Sequence, residues 1–167
     1  RDVQILNPRS APSSFHARLS ARRKRYVYRA FEGLTPPLEI RYRSSLPDVR
    51  LDLEAMRSAA DSLIGEHDFT SFGASRGYPC EDNPVKTLWL LEVRRLGKRL
   101  EIIVEGSGFL YKMVRSLCGA LFEVGRGKLQ VPQVRKILAG RERTSLVVTA
   151  PPHGLCLEKV FYRRPRK

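Results

Sequence analysis

A basic run that leads into two tyrosines is the first stretch of this sequence that could do chemistry. Between positions 18 and 29 it carries six cations and no acid, and Tyr26 and Tyr28 follow its densest part. Such a run suits RNA, because cations hold phosphates while aromatic rings stack on unpaired bases. A solvated basic loop that leads into a core strand fits the same residues equally well. The candidate RNA-binding cations are Arg18, Arg22, Arg23, Lys24 and Arg25.

A second candidate is the run Phe109-Leu110-Tyr111-Lys112-Met113-Val114-Arg115, in which Lys112 is a further candidate RNA-binding cation. On a helical wheel Arg115 falls just outside the apolar stripe, one turn before Gly119. A glycine in mid-helix costs up to about 1 kcal/mol relative to alanine, so close approach of a backbone or a substrate would explain Gly119. The residues alone favour a simpler interpretation, in which Gly119 serves helix–sheet packing and Arg115 is ordinary surface charge.

Two further stretches contain residue types that catalysis uses. Leu155 ends the stiff segment Ala150-Pro151-Pro152-His153-Gly154-Leu155, where it could wall a pocket or, more commonly, belong to the core. His67-Asp68-Phe69-Thr70-Ser71-Phe72 contains the residue types of a catalytic triad, but consecutive positions cannot converge as a triad must. We therefore predict a turn that ends a helix and buries both phenylalanines.

Sequence patterns predict the elements that must position these residues. Aromatic and β-branched residues indicate strands at 26–31, 87–94, 99–105 and 155–162, and the middle two form a hairpin around Gly97. Apolar residues at helical spacing indicate helices at 53–64, at 110–124 and from near Pro132 to Gly140. This order predicts an α+β domain, a largely antiparallel β-sheet with helices packed on one face. Residues 1–14 are predicted to form an extended lead-in, 15–162 the domain, and 163–167 a basic tail.

Composition narrows the classes of function. With 31 Lys+Arg against 17 Asp+Glu, the formal charge of +14 favours a polyanionic partner, because bound phosphates release counterions. The cysteines Cys80, Cys118 and Cys156 lack metal-ligand spacing, so we expect reduced thiols and no zinc. No apolar run reaches the roughly 18 residues of a membrane span. The sequence also has no dinucleotide or P-loop motif and no pair of carboxylates spaced for acid–base work.

Five stretches, taken in order, resemble the TruA family of tRNA pseudouridine synthases, and they span about residues 15–162. The matching stretches are Phe15-His16-Ala17-Arg18 with Ser20-Ala21, Arg25-Tyr26-Val27-Tyr28, residues 65–72, Phe109 to Arg115 with Gly119, and Ala150-Pro151 with Gly154-Leu155. The resemblance implies an enzyme that isomerises uridines at positions 38 to 40 of the tRNA anticodon stem-loop without metal or organic cofactor. It also implies a homodimer in the full-length enzyme and a cytoplasmic location, with an organelle as an alternative.

The resemblance assigns roles to three residues and points to a missing one. It implies that Tyr26 packs on the target base, that Arg115 pairs with a catalytic aspartate, and that Leu155 lines the base pocket. Family members carry that aspartate in a GRTDAG-like motif upstream of the FHAR-like segment, and the motif does not occur in these 167 residues. We therefore expect the chain to be the C-terminal half of such an enzyme and to be inactive alone. The alternative is a non-catalytic basic RNA-binding module on the same scaffold.

Overall fold

In the computed structural model, which describes residues 3–47, 50–77 and 83–162, a twisted sheet forms the centre of the fold. Within these ranges the sheet has six strands in the order β2-β1-β5-β4-β3, and β6 also pairs with β1. All pairs are antiparallel except β1 with β2. The strands are β1 (Ala21–Glu32), β2 (Ser44–Leu46), β3 (Gly65–Asp68), β4 (Val85–Leu96), β5 (Arg99–Gly106) and β6 (Leu155–Tyr162).

Helices cover one face of this sheet. The helices are α1 (Leu53–Asp61), α2 (Met113–Gly125) and α3 (Val131–Gly140). Alternate residues of β1 and β5 face them and are fully buried, among them Tyr28, Ile102 and Val104. The opposite face carries charged pairs such as Arg29 with Glu101. The predicted α+β class, with a largely antiparallel sheet and helices on one face, is confirmed.

The predicted hairpin, last strand and third helix agree with the structure, whereas two short strands were missed. The turn predicted for His67–Phe72 was partly wrong, because His67 and Asp68 belong to β3, which pairs with β4, and only the residues after it form the turn. That turn does bury Phe69 and Phe72 completely, as predicted. β2 is short and polar and therefore has no strand pattern in the sequence. α1 ends at Asp61 instead of continuing to residue 64, and β1 begins within the basic run.

The segments predicted to flank the domain are a lead-in at 1–14 and a basic tail at 163–167. Residues 3–12 form neither helix nor strand and are exposed, while the rest of the segment up to the start of β1 forms turns. The predicted basic tail at 163–167 lies outside the described residues, as does Cys80. No helix in the described ranges is long and apolar enough to cross a membrane.

Candidate active site

Tyr26 lies on the helix-covered face of the sheet, near the end where β5 stops. β1 and β5 pair regularly from Lys24 to Phe31, so Lys24, Tyr26 and Tyr28 share one face. The Tyr26 ring meets the Phe109 ring edge-on, with centroids 5.3 Å apart and an interplanar angle of 88°. Burial raises the pKa of Tyr26, so its hydroxyl stays protonated at neutral pH. The ring is thus a partly buried planar surface held in a fixed orientation.

Arg115, on the first turns of α2, is tied to the loop that precedes β6. Its Nε donates to the carbonyl of Ala150 at 2.7 Å, and the Ala150 amide donates back to the Arg115 carbonyl at 3.0 Å. Within the described ranges no carboxylate pairs with its terminal nitrogens. One edge of the guanidinium is therefore fixed, and its other edge is open to an acceptor.

Gly119 permits this contact between helix and loop. A Cβ at Gly119 would lie 2.0 Å from the Val148 carbonyl oxygen and 3.2 Å from the Ala150 amide nitrogen. Both are backbone atoms, so a side chain there would push the loop away from α2. The structure thus shows a backbone that approaches α2 closely beside Arg115. This was one of the explanations proposed for the mid-helix glycine. The helix–sheet packing favoured by the residues alone is not the reason, since Gly119 faces a loop.

Leu155 begins β6 opposite Tyr28 and packs partly buried against the core. The turn before it is held by the Tyr28 hydroxyl, which donates to the Pro151 carbonyl at 2.9 Å and contacts the Ser44 hydroxyl. Burial raises the pKa of Tyr28 to about 12. A Cβ at Gly154 would lie 2.5 Å from the Arg29 carbonyl oxygen, so a side chain there would displace the turn. Tyr28 therefore links the strand that carries Tyr26 to the turn that delivers Leu155.

The three residues that the resemblance singled out thus lie on elements joined directly to one another. β1 carries Tyr26, Tyr28 bonds the turn before Leu155, and Ala150 in the same turn region bonds Arg115. Comparison with known proteins shows the family. A family model described as tRNA pseudouridine synthase matches residues 59–163. The chain belongs to the tRNA pseudouridine synthase family.

Individual relatives carry the same description. Proteins named tRNA pseudouridine synthase A are similar to this chain at 40% identity in Bacillus pumilus, 37% in Lysinibacillus sphaericus and 41% in Caulobacter vibrioides. These alignments cover 96%, 97% and 96% of this chain, but only 64%, 65% and 64% of the relatives. The chain therefore spans about two thirds of the length of the synthases that it matches.

Within this family scaffold, the candidate RNA-binding cations of β1 divide between two faces of the sheet. Arg23 and Arg25 lie on the face without helices, where both bond the buried Glu105 at 2.6 and 2.7 Å. Burial tends to raise the pKa of Glu105, but the hydrogen bonds from Arg25 and Arg23 outweigh it and the pKa is lowered. The Arg23 guanidinium also lies 4.4 Å from the Trp89 ring centroid. Both arginines therefore pair with an acid of the protein, and Arg25 also lies 3.8 Å from Glu158, whereas Lys24 lies on the Tyr26 side.

The remaining candidate cations occupy two places. Arg18 is exposed in the turn before β1. Arg22 is exposed at the start of β1, where it is an extra residue in the pairing of β1 with β6. The turn is anchored to β6, since the Tyr162 hydroxyl donates to the Ala17 carbonyl at 2.9 Å. Lys112 lies directly before α2 in the left-handed region at φ 58°, with its ammonium 5.1 Å from the Tyr111 ring centroid. The predicted set is therefore not one continuous patch.

Arg143 is a structural residue of the site that no sequence motif indicated. Its guanidinium donates to the carbonyl of Gly73 at 3.0 Å, to Ser116 Oγ at 3.0 Å, to the carbonyl of Val147 at 2.9 Å and to Thr149 Oγ1 at 2.8 Å. It thus joins the loop after Phe72, the first turn of α2 and the loop that holds Arg115. Burial lowers its pKa. In sequence it is one arginine in a polar loop, and only distant contacts reveal its role.

No group of three His, Cys, Asp or Glu side chains in the described ranges is arranged to hold a metal ion. Cys118 is buried in α2, where burial raises the pKa of its thiol, while Cys156 is exposed on β6. His67 bonds the carbonyl of Ile64, and Asp68 accepts hydrogen bonds from Thr70, which lower the pKa of Asp68. These hydrogen bonds are local and do not bring together the residues of a catalytic triad.

Proposed function

We propose that this chain is the part of a tRNA pseudouridine synthase that holds the target uridine and orients a nucleophile. The substrate is a uridine at positions 38 to 40 of the tRNA anticodon stem-loop. The nucleophilic aspartate comes from a segment outside these 167 residues, because no GRTDAG-like motif occurs among them. The chain provides Arg115, Tyr26 and Leu155, and no cofactor takes part.

The observation that carries the proposal is the half-fixed guanidinium of Arg115. Its Nε is held by the Ala150 carbonyl at 2.7 Å, while its terminal nitrogens meet no acid within the described ranges. A guanidinium pairs with a carboxylate through two parallel hydrogen bonds, so this open edge suits an incoming aspartate. Such a pair would keep the carboxylate ionised and aimed at the sugar carbon of the uridine.

Tyr26 and Leu155 have the properties that the reaction needs around the base. A uridine must leave the stack to be isomerised, and a ring held by Phe109 offers it a planar surface. After the glycosidic bond breaks, the uracil has to rotate without being lost to water. An apolar wall at Leu155 would exclude water during that step.

The test uses the protein of the complete parent reading frame and measures pseudouridine in an unmodified tRNA. Arg115→Met and Arg115→Lys should each lower the rate at least about 100-fold, because lysine keeps the charge but not the two-pronged geometry. Tyr26→Leu should do the same. Bulk tRNA affinity should stay within about twofold, since neither Arg115 nor Tyr26 is assigned a phosphate contact. Arg135→Met, an exposed cation of α3, is the matched control.

The outcomes separate this proposal from the non-catalytic RNA-binding alternative. A complete protein that binds tRNA but forms no pseudouridine would support the binding module instead. Full activity of Arg115→Met would remove the assigned role of Arg115. The 167-residue chain alone should bind RNA weakly and form no pseudouridine, so any product from the purified chain would contradict the assignment of the nucleophile.

Two features of the whole protein belong to the same proposal. The complete enzyme should be a homodimer, which light scattering on the purified protein measures directly. It should act where tRNA is matured, in the cytoplasm or in an organelle. Fluorescence imaging of the tagged complete protein distinguishes these two compartments.

A further inference from the structure

One end of the sheet carries lysines and an exposed ring on the same side. β1 begins, β5 ends and β4 begins there, and the turn at 107–112 crosses this end to reach α2. Lys24 and Lys86 lie beside that turn, Tyr111 and Lys112 are part of it, and we call these four residues the Tyr111 surface. Lys24 pairs with Gly106 across the strands, and the Lys86 side chain passes 3.8 Å from where a Cβ of Gly108 would lie.

The lysines of this surface project to the helix-covered side. Lys24 has the same orientation as Tyr26 and Tyr28 on β1, because residues two apart share a face. Lys86 likewise shares a face with the buried Leu88 on β4. The surface therefore lies on the same side of the sheet as Tyr26, beside the candidate active site.

The lysines of this surface differ from the arginines of β1 in their acidic partners. Within the described ranges Lys24, Lys86 and Lys112 have no carboxylate at ion-pair distance, in contrast to Arg23 and Arg25, which share Glu105. Among the described residues, a phosphate that binds the three lysines has no acid to displace. In those ranges the cations without an acidic partner beside the site are thus these lysines, and not Arg23 and Arg25 of the open face.

Tyr111 is the aromatic member of the surface. Tyr111 is 41% exposed, and the Lys112 ammonium lies 5.1 Å and the Arg76 guanidinium 5.6 Å from the centroid of its ring. Its carbonyl accepts the Ala74 amide at 2.9 Å, which fixes the backbone beneath the ring. Lys112 follows at φ 58°, a conformation that costs a non-glycine residue free energy and tends to persist where function requires it.

We infer that the Tyr111 surface binds a single-stranded nucleotide of the RNA next to the target uridine. Tyr111 stacks on its base, and Lys24, Lys86 and Lys112 bind the phosphates on either side of it. The inference rests on the proposed function, because it assumes that the partner is RNA. It adds a subsite that reads an unpaired segment, so the protein would favour a loop over a continuous duplex at this point.

The test measures binding of the 167-residue chain to two fluorescent RNAs with equal numbers of phosphates. One is a hairpin with a single-stranded loop, and the other is a blunt duplex. Tyr111→Leu should weaken hairpin binding about tenfold, the range that loss of one base–aromatic stack gives, and leave duplex binding within about twofold. Tyr111→Trp should retain hairpin binding, since a ring is kept.

The matched control is Tyr42→Leu. Tyr42 is 68% exposed in the loop before β2, at the other end of the sheet, about 20 Å from the Tyr111 surface by the length of β5. Equal hairpin affinities for Tyr111→Leu and Tyr42→Leu would overturn the stacking role. A Tyr111→Leu effect of the same size on the duplex would overturn it too, because stacking needs an unpaired base.

The lysines are tested through the salt dependence of hairpin binding. Lys86→Met should lower the slope of log affinity against log salt by about one, because one phosphate contact is lost. Lys112→Asn should do the same, since asparagine tolerates a positive φ. The control is Lys98→Met, in the hairpin turn at the far end of β5, which should leave the slope unchanged. If Lys86→Met had the same slope as this control, Lys86 would not bind a phosphate.

Failure of the inference can be told apart from failure of the proposed function. If the unaltered chain binds neither RNA, the Tyr111 surface is lost, and the proposed function is decided separately by the activity of the complete protein. If it binds the hairpin but Tyr111→Leu and Lys86→Met match their controls, only the Tyr111 surface is lost. In that case the proposal for Arg115 and Tyr26 still stands on its own test of activity.

Discussion

Replacing Gly119 by alanine should destabilise the protein, even though alanine is the better helix former. The new Cβ would lie 2.0 Å from the carbonyl oxygen and 2.8 Å from the carbonyl carbon of Val148. Neither backbone atom can move without the loop at 147–150. The loop must therefore leave α2, and the two hydrogen bonds between Ala150 and Arg115 stretch or break.

The magnitude follows from those two hydrogen bonds. The one from the charged Arg115 side chain contributes about 1.5–3 kcal/mol and the backbone one about 1 kcal/mol. Alanine recovers about 1 kcal/mol of helix propensity. The free energy of unfolding of Gly119→Ala should thus fall by about 1.5–3 kcal/mol, as urea denaturation followed by circular dichroism measures.

Gly140→Ala is the matched control. Gly140 is the last residue of α3, and no atom lies within 4 Å of where its Cβ would be. This variant should be as stable as the original protein or up to about 1 kcal/mol more stable. If Gly119→Ala proved as stable as Gly140→Ala, the loop would not be packed on α2, and the fixed edge of Arg115 would lose its explanation.

Three further predictions concern buried polar groups and thiols. Glu105→Gln should lower the free energy of unfolding by about 1 kcal/mol at neutral pH, since the arginines are partly exposed. The hydrogen bonds that lower the pKa of Glu105 stabilise the protein above the ordinary carboxyl pKa, and this stabilisation is lost as pH falls through the lowered pKa. The stabilities of the two proteins should therefore converge in acid, and parallel curves would contradict this. Arg143→Met should lower the free energy of unfolding by about 2–4 kcal/mol in urea denaturation, because several hydrogen-bond acceptors lose their donor. Exposed Arg135→Met should lower it by less than about 0.5 kcal/mol, and an equally small loss for Arg143→Met would show that Arg143 does not hold these loops together. In a Cys80→Ser protein, Cys156 should react with a thiol reagent in the native state, whereas Cys118 should react only on unfolding. Burial of Cys118 blocks access of the reagent and raises the pKa of its thiol. Two rapidly reacting thiols in the native protein would contradict this.

Strong local patterns made most of the fold predictable. The hairpin at Gly97 has long alternating strands on both sides, and α2 has an apolar stripe over its whole length, so both are specified by neighbours in sequence. β2 and β3 could not be predicted in this way. Ser44–Leu46 and Gly65–Asp68 are short and mostly polar, and they are strands only because β1 and β4 offer them hydrogen-bond partners.

The candidate site was predictable in its residues but not in its connections. Motifs in a fixed order pointed to Tyr26, Arg115 and Leu155 through the family resemblance, and their roles stay predictions until activity is measured. The clamp formed by Arg143 had no sequence signal, because its partners lie up to 71 positions away. The same holds for Glu105, whose two arginines are 80 and 82 positions distant.

By itself the sequence determined the family, the α+β class and the surplus of positive charge, because these follow from residue order, local periodicity and composition. Only the tertiary structure decided which cations are available to a partner. Neighbouring residues of a strand point to opposite faces, so the basic run that looks continuous in sequence is divided by the sheet. Arg23 and Arg25 meet Glu105 on one face, while Lys24 lies beside Tyr26 on the other.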